Sequence, residues 1–282
     1  MMKNIDMDWD KVDFIIENAL NEDLGSGDIT TDTIFPSDLT CEAKIVAKEE
    51  GIVAGINVAQ RVFEKLDRNA TLSFVKNDGD KVLPGDELFR INATVRAVLS
   101  GERLALNLLQ RMSGIATATS KYVEILKGTH TKILDTRKTA PSLRVLDKYS
   151  VLAGGGHNHR FGLYDAVLIK DNHINFAGSI SKAVETIRSQ YGHKYKIEVE
   201  TSNLDEVREA LESGAEIIML DNMSVSMMRE AVSLINGRAL SEASGGIPLE
   251  ALADIAETGV DYISVGALTH SSAALDISLY MV

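Results

Sequence analysis

Cationic, carboxylate and glycine-rich segments recur through this chain from residue 135 onward, each following or closing a short apolar run. They are Asp135-Thr136-Arg137-Lys138-Thr139, Lys170-Asp171-Asn172-His173, Glu198-Val199-Glu200, Leu220-Asp221-Asn222, Ser244-Gly245-Gly246 and Gly266-Ala267. A further stretch, Leu152-Ala153-Gly154-Gly155-Gly156-His157-Asn158-His159-Arg160, joins three glycines to three more basic groups. Arginine suits planar, bidentate recognition of carboxylate, whereas lysine acts as a point charge. Glycine loops let backbone N–H groups approach a phosphate closely. Two separated carboxylates, Glu200 and Asp221, can hold Mg²⁺ against a pyrophosphate, or stabilise positive charge growing on a sugar carbon. These residue types point to a small substrate carrying several carboxylates or phosphates.

Other chemistries use some of the same residues. His157 and His159 suggest a metal site, but the surrounding cations disfavour zinc. Lys170 at a strand end fits a class I aldolase, where an uncharged amine forms a Schiff base. A plain phosphate-binding protein has no use for Glu200 and Asp221, which would repel the ligand.

The elements that must position these groups are legible from residue 131 onward. Short apolar runs at Ile133-Leu134, Ala166 to Ile169, Ile197 to Val199, Ile217 to Leu220, Ala239-Leu240 and Tyr262 to Val265 read as buried parallel strands. Helical patterns over Ser181 to Ser189, Leu204 to Ser213, Val225 to Ile235 and Pro248 to Thr258 supply the crossovers. Six strands of this kind predict an open, incomplete α/β barrel. A doubly wound open sheet is the alternative, although no Gly-x-Gly-x-x-Gly follows the first strand. In a barrel the chemistry sits at the C-terminal strand ends, where nearly every polar group named above falls. Alternation along a strand puts Glu198 and Glu200 on one face, with Glu200 nearer the mouth.

The first part of the chain reads as a separate, smaller α/β region. Helices are expected over Asp8 to Leu20 and Ile56 to Leu66, with a polar stretch from Asn21 to Asp32. Strands are expected over Glu42 to Glu49, Thr71 to Val75, Glu87 to Ile91 and Thr94 to Leu99. A long helix from Gly101 to Lys127 is expected to bridge the two regions. Asn77 to Asp86, with two Gly-Asp turns, is similar to the hammerhead of biotinyl and lipoyl carriers. It lacks a lysine displayed on a hairpin tip, so efficient turns are the simpler reading.

Composition limits the partners. The chain has 282 residues and a formal net charge of -12, so phosphate backbones and anionic membranes are poor partners for the body as a whole. Cys41 is the single cysteine, which rules out an intrachain disulfide or a cysteine-rich zinc site. No apolar run approaches the roughly 18 residues of a membrane span. The cytoplasm is the expected compartment.

Taken together, Asp135 to Thr139, Gly154 to Arg160, Leu168 to His173, Glu198 to Glu200 and Ser244-Gly245-Gly246-Ile247 closely resemble the quinolinate phosphoribosyltransferase family. The likeness extends to Glu22 to Thr30 and Gly101 to Asn107, and no position carrying the family's chemistry departs from it. The resemblance implies reaction of quinolinate with phosphoribosyl pyrophosphate, requiring Mg²⁺, to give nicotinate mononucleotide, pyrophosphate and CO₂. It implies an α/β-sandwich domain over 1–114, an open barrel over 115–270 and a segment, 271–282, returning to the first domain. It further implies a homodimer, in some members a hexamer, with the partner subunit's Arg103 reaching the active site. Arg137, Arg160 and that Arg103 are then expected to hold the quinolinate carboxylates, helped by Thr136, Lys138 and His159. Lys170 is expected between the two substrates, Glu200 and Asp221 at the ribose and Mg²⁺, and Ser244, Gly245, Gly246 and Gly266 at the 5′-phosphate. A relative on the same scaffold with another acceptor, such as nicotinate, is the remaining alternative.

Overall fold

A computed structural model describes residues 7–282. Its contacts divide the chain into two units. The first holds the described residues up to Ser120 together with 139–155 and 268–282; the second holds 121–138 and 156–267.

Along the chain the helices are α1 (Trp9–Leu24), α2 (Ile29–Ile34), α3 (Ile56–Leu66), α4 (Val95–Ile125), α5 (Arg144–Ala153), α6 (Asp171–Ala177), α7 (Ile180–Tyr191), α8 (Leu204–Glu212), α9 (Val225–Ile235), α10 (Leu252–Ala256) and α11 (Ala267–His270). The strands are β1 (Thr40–Ala47), β2 (Gly51–Ile52), β3 (Thr71–Phe74), β4 (Lys81–Val82), β5 (Glu87–Thr94), β6 (Lys132–Leu134), β7 (Val167–Ile169), β8 (Ile197–Thr201), β9 (Ile217–Asp221), β10 (Leu240–Ser244), β11 (Tyr262–Ser264) and β12 (Ile277–Met281).

The first unit is built on an antiparallel sheet in the order β12-β1-β5-β3. Alternation along β1 buries Ala43, Ile45 and Ala47, while α3 buries Ile56, Val58, Ala59, Val62 and Phe63. These side chains share one core with the apolar stripe of α4, which includes Leu104, Leu108, Leu109 and Met112. Each of the larger apolar side chains, once fully buried, contributes about 1.5–3 kcal/mol. Asp8 caps α1 by accepting the Lys11 N–H.

Two expectations fail here. Thr94 to Leu99 reads as a strand, but Thr94 closes β5 and its hydroxyl then accepts the Ala97 N–H at the start of α4. The polar stretch from Asn21 to Asp32 contains the end of α1 and the first four residues of α2, whose cap is Asp28. The Gly-Asp turns around Asn77 to Asp86 are ordinary structural turns. Asp78 accepts the Ile56 N–H at 3.0 Å and the Tyr149 hydroxyl at 2.7 Å, and burial pushes its carboxyl above the usual range. Lys81 lies in β4, paired to β2, with its ammonium on Glu50.

The second unit contains a wholly parallel six-stranded sheet in the order β6-β11-β10-β9-β8-β7. β6 and β7 do not pair with each other, so the barrel is open, as the strand count predicts. A single parallel bridge, Leu134 to His157, lays the segment after Gly156 along the edge of β6. Among the described residues no helix is long and apolar enough to cross a membrane.

Candidate active site

Every parallel strand ends in a polar group. Asp135, Thr136 and Arg137 follow β6, Lys170 follows β7, Glu200 lies near the end of β8, and Asp221 ends β9. Ser244 ends β10 and leads into Gly245-Gly246, while Gly266 follows β11 and precedes α11. The expected residues of the second unit therefore converge on one end of the sheet, whereas Arg103 is exposed on α4 of the first unit.

Lys170 is fixed at both ends. Its backbone N–H donates to His173 Nδ1 at 3.0 Å, at the start of α6, and its ammonium is ion-paired with Glu200 Oε2. Arg160 donates from Nη1 to the Ala166 carbonyl at 3.3 Å. Burial, and then the nearby Arg137 guanidinium, lower the affinity of Arg160 for its proton. Two guanidiniums held against their repulsion form a site that an anion with two carboxylates would relieve. Asp165 closes the following turn, accepting the Phe161 and Gly162 N–H groups at 2.6 and 2.8 Å.

The glycine loops fall into two kinds. Gly245 has φ +102°, and an added Cβ would stand 2.2 Å from Asn222 Oδ1. Asn222 itself has φ +54°, and its N–H donates to the Ser244 carbonyl at 3.0 Å. The turns after β9 and β10 are thus locked together, with Gly246 open beside them. The glycines of 154–156 differ. An added Cβ on Gly154 would lie 2.4 Å from the Ala116 carbonyl oxygen, so the close approach read there as ligand binding is to the backbone of α4.

Below the mouth lies a polar core only half legible in the sequence. Glu198 and Glu242, on alternate strands of the sheet, point into the barrel and are almost wholly buried, as barrel layers require. One oxygen of each lacks a hydrogen-bond partner among the described residues. His159 Nε2 stands 2.8 Å from Glu198 and 3.8 Å from Glu242. Burial, and then the charge of Glu198, push the Glu242 carboxyl up to about 8, while His159, a hydrogen bond with Ser264 and Lys170 act the other way. A cavity of about 270 Å³ reaches these groups, lined also by Lys132, His157 and Lys196.

His159, Glu198 and Glu242 have metal-ligand types and spacing. Both ring nitrogens are already engaged by the protein, Nδ1 with the Arg160 N–H at 2.8 Å and Nε2 with Glu198. Alternation places Glu242 on the same face of β10 as Ser244, a signal that could have singled it out from the sequence. Asn222 had no such signal, since its role depends on the conformation of Gly245.

Known proteins of this kind match most of the chain. A model of the quinolinate phosphoribosyl transferase C-terminal domain matches residues 115–280, and one of the N-terminal domain matches 28–113. A probable nicotinate-nucleotide pyrophosphorylase (carboxylating) of Bacillus subtilis is 49% identical over 94% of this chain and 91% of its own length. A mitochondrial quinolinate phosphoribosyltransferase (decarboxylating) of Nicotiana glauca is 46% identical over 94% of this chain and 80% of its own. The crystal structure of NadC from Streptococcus pyogenes superposes with a TM-score of 0.94 at 41% identity, covering 99% of this chain and 100% of that one.

Proposed function

Because the chain belongs to the quinolinate phosphoribosyltransferase family, we propose that its barrel mouth divides the family's reaction among the residues described above. The enzyme is a pentosyltransferase of NAD biosynthesis. It transfers phosphoribose from 5-phosphoribosyl 1-pyrophosphate to the ring nitrogen of quinolinate. Pyrophosphate leaves, the carboxylate beside the ribosylated nitrogen departs as CO₂, and nicotinate mononucleotide remains.

The observations that support the assignment of roles are the closeness of Arg137 to Arg160 and the ion pair of Lys170 with Glu200, at the sheet's C-terminal end where β9 also ends in Asp221. Arg137 and Arg160 hold the quinolinate carboxylates, with Thr136 and Lys138 beside them. Lys170 lies between the substrates and is held there by Glu200 until the ribose arrives. Its ammonium is engaged by a carboxylate, which favours this role over a Schiff base. Glu200 and Asp221 face the ribose hydroxyls and stabilise the oxocarbenium-like carbon as pyrophosphate leaves. Ser244, Gly245, Gly246 and Gly266 receive the 5′-phosphate through backbone N–H groups. Positioning and exclusion of water supply the rest, since the ribosylated ring itself draws electrons from the carboxylate that is lost.

Two hard carboxylates at adjacent strand ends suit Mg²⁺ held mainly through substrate oxygens and water. Glu200 and Asp221 would hold it there, and it would supply positive charge to offset the negative charge of the leaving pyrophosphate. The exposed Arg103 is assigned to the neighbouring site of a homodimer, which in some assemblies builds into a hexamer. The acidic body, with a formal net charge of -12, disfavours nucleic acid and anionic membranes as partners, and the cytoplasm is the proposed compartment.

An assay of quinolinate, phosphoribosyl pyrophosphate and Mg²⁺ tests the whole reading. Nicotinate mononucleotide and CO₂ are expected only when both substrates are present. Product from nicotinate in place of quinolinate, without CO₂, would replace the acceptor assignment.

A further inference from the structure

The turns after β9 and β10 meet through one residue, Asn222. Its backbone N–H donates to the Ser244 carbonyl at 3.0 Å, one step beyond the pairing of Asp221 with Ser244 that ends the parallel ladder. Its φ of +54° lies in the left-handed region, which asparagine enters more readily than most residues bearing a Cβ. Met223 beyond it is buried, and Ser224 caps α9 by accepting the Met227 N–H at 3.2 Å. The main chain of Asn222 is therefore held on both sides.

Its amide lies between two groups already given work. Nδ2 donates to Asp221 Oδ2 at 2.7 Å. On the other side stands Gly245, where an added Cβ would lie 2.2 Å from Asn222 Oδ1 and 2.7 Å from its Cγ. The amide thus fills the space that a side chain at position 245 would need. A hydrogen bond between exposed neighbours contributes little when both groups are free to turn, but here the donor is seated against the backbone of the next turn.

We propose that Asn222 is a positioning residue that sets the spacing between the carboxylate of Asp221 and the turn that receives the 5′-phosphate. Its amide occupies Oδ2, leaves Oδ1 for a ribose hydroxyl, and rests on Gly245, so that carboxylate and turn behave as one piece. The ribose hydroxyls and the 5′-phosphate belong to one short sugar, and a site that holds both must keep them at one separation. Fixing that separation before binding removes ordering that two independent loops would undergo on contact with substrate.

The inference rests on the assignment of Asp221 to the ribose and of the Gly245 turn to the phosphate, and the tests separate the two. Ribose 5-phosphate carries hydroxyls and phosphate, whereas inorganic phosphate carries the phosphate alone. Both are titrated into the full-length protein by ³¹P NMR without Mg²⁺, and the ratio of their affinities is the readout. Asn222→Gly keeps the backbone conformation and removes the amide. The ratio should fall by about tenfold, the equivalent of one hydrogen bond to a charged acceptor, with the quinolinate KM little changed. An unchanged ratio overturns the proposal, and so does an equal rise in the quinolinate KM, which would mark a general loosening.

In an Asp221→Ala background the same substitution should have no further effect, because no carboxylate is left to position. An undiminished tenfold effect there also overturns the proposal. Should Asn222→Gly not fold, Asn222→Asp decides, since aspartate also accepts a positive φ but sets a second carboxylate against Asp221. The ratio should again fall, and an unchanged ratio overturns the proposal. Asp221→Ala alone tests the reading beneath it. An unchanged ratio there removes Asp221 from the ribose and the proposal with it, whereas a fall in Asp221→Ala without one in Asn222→Gly removes the proposal only.

Discussion

Arg111 grips Asp147 with both arms of its guanidinium, Nε and Nη2 donating to the two carboxylate oxygens at 2.9 and 2.8 Å. Asp147 is fully buried, and the same carboxylate accepts the Ala140 N–H at 3.0 Å. One ion pair thus joins α4 to α5 and pins the start of the segment that precedes α5.

Removing one half of such a pair strands a buried charge. Arg111→Ala should lose about 3–5 kcal/mol of stability in urea titration, with Arg111→Met/Asp147→Leu recovering part of the loss. A loss below about 1 kcal/mol in the single variant would show that water reaches Asp147.

Gly245 and Gly246 are neighbours in sequence with opposite tolerances. Gly245→Ala adds a Cβ at a positive φ and against Asn222, whereas nothing lies within 4 Å of the corresponding atom at Gly246. Gly245→Ala should destabilise the fold by about 1–3 kcal/mol and raise the KM for phosphoribosyl pyrophosphate. Gly246→Ala should leave the thermal midpoint near that of the parent. Equal midpoints would mean that the two turns are not locked through Asn222.

The carboxyl of Glu242 is raised from its ordinary 4.5 to about 8, so the folded protein keeps a proton that the unfolded chain has already released. The sign follows from linkage. Its contribution is fully present below about pH 4.5 and is lost as pH rises through about 8. Glu242→Gln, which cannot ionise, should gain thermal stability relative to the parent as pH rises from about 4.5 to about 8. Parallel pH profiles for the two proteins would refute the assignment of that proton. Glu198, His159 and Lys170 face the same carboxyl, so the comparison must be between the two proteins rather than along one curve.

A shared site makes a prediction that needs two chains. Arg103→Ala and Lys170→Ala should each be nearly inactive alone, with kcat/KM down by about 10²-fold or more. Verified mixed dimers should recover one intact site, and hence a substantial fraction of parent activity. Heterodimers without recovery would leave Arg103 with no part in a neighbouring site.

Much of the architecture could be read from residue order, because buried parallel strands leave short apolar runs whose ends are polar. The six runs from Ile133 to Val265 correspond to the six observed strands, and period-two alternation places Glu198 and Glu200 on one face. α6 escaped because none of its residues is buried, so it carries no apolar stripe. α5 escaped because the glycines at its end drew the reading towards a ligand, while Gly154 in fact packs on α4. The mouth residues were legible as types of chemistry. The support beneath them was not, since the part played by His159 depends on which ring nitrogen faces which neighbour, and sequence carries no such direction.

The pairing of β1 with β12 has a consequence for biosynthesis. Ala43 to Ala47 find their partners in Ile277 to Met281, which the ribosome makes long after β1. Until then one edge of the first unit's sheet offers unsatisfied N–H and C=O groups, a template for pairing with another nascent chain. Lys44 and Lys48 beside that edge, and Glu42 on it, lend it charges that discourage such pairing. Synthesis of Ile277 to Met281 is therefore the moment at which an adhesive edge is sealed. A chain shortened before Ile277 should emerge intact in its barrel yet prone to aggregate through β1.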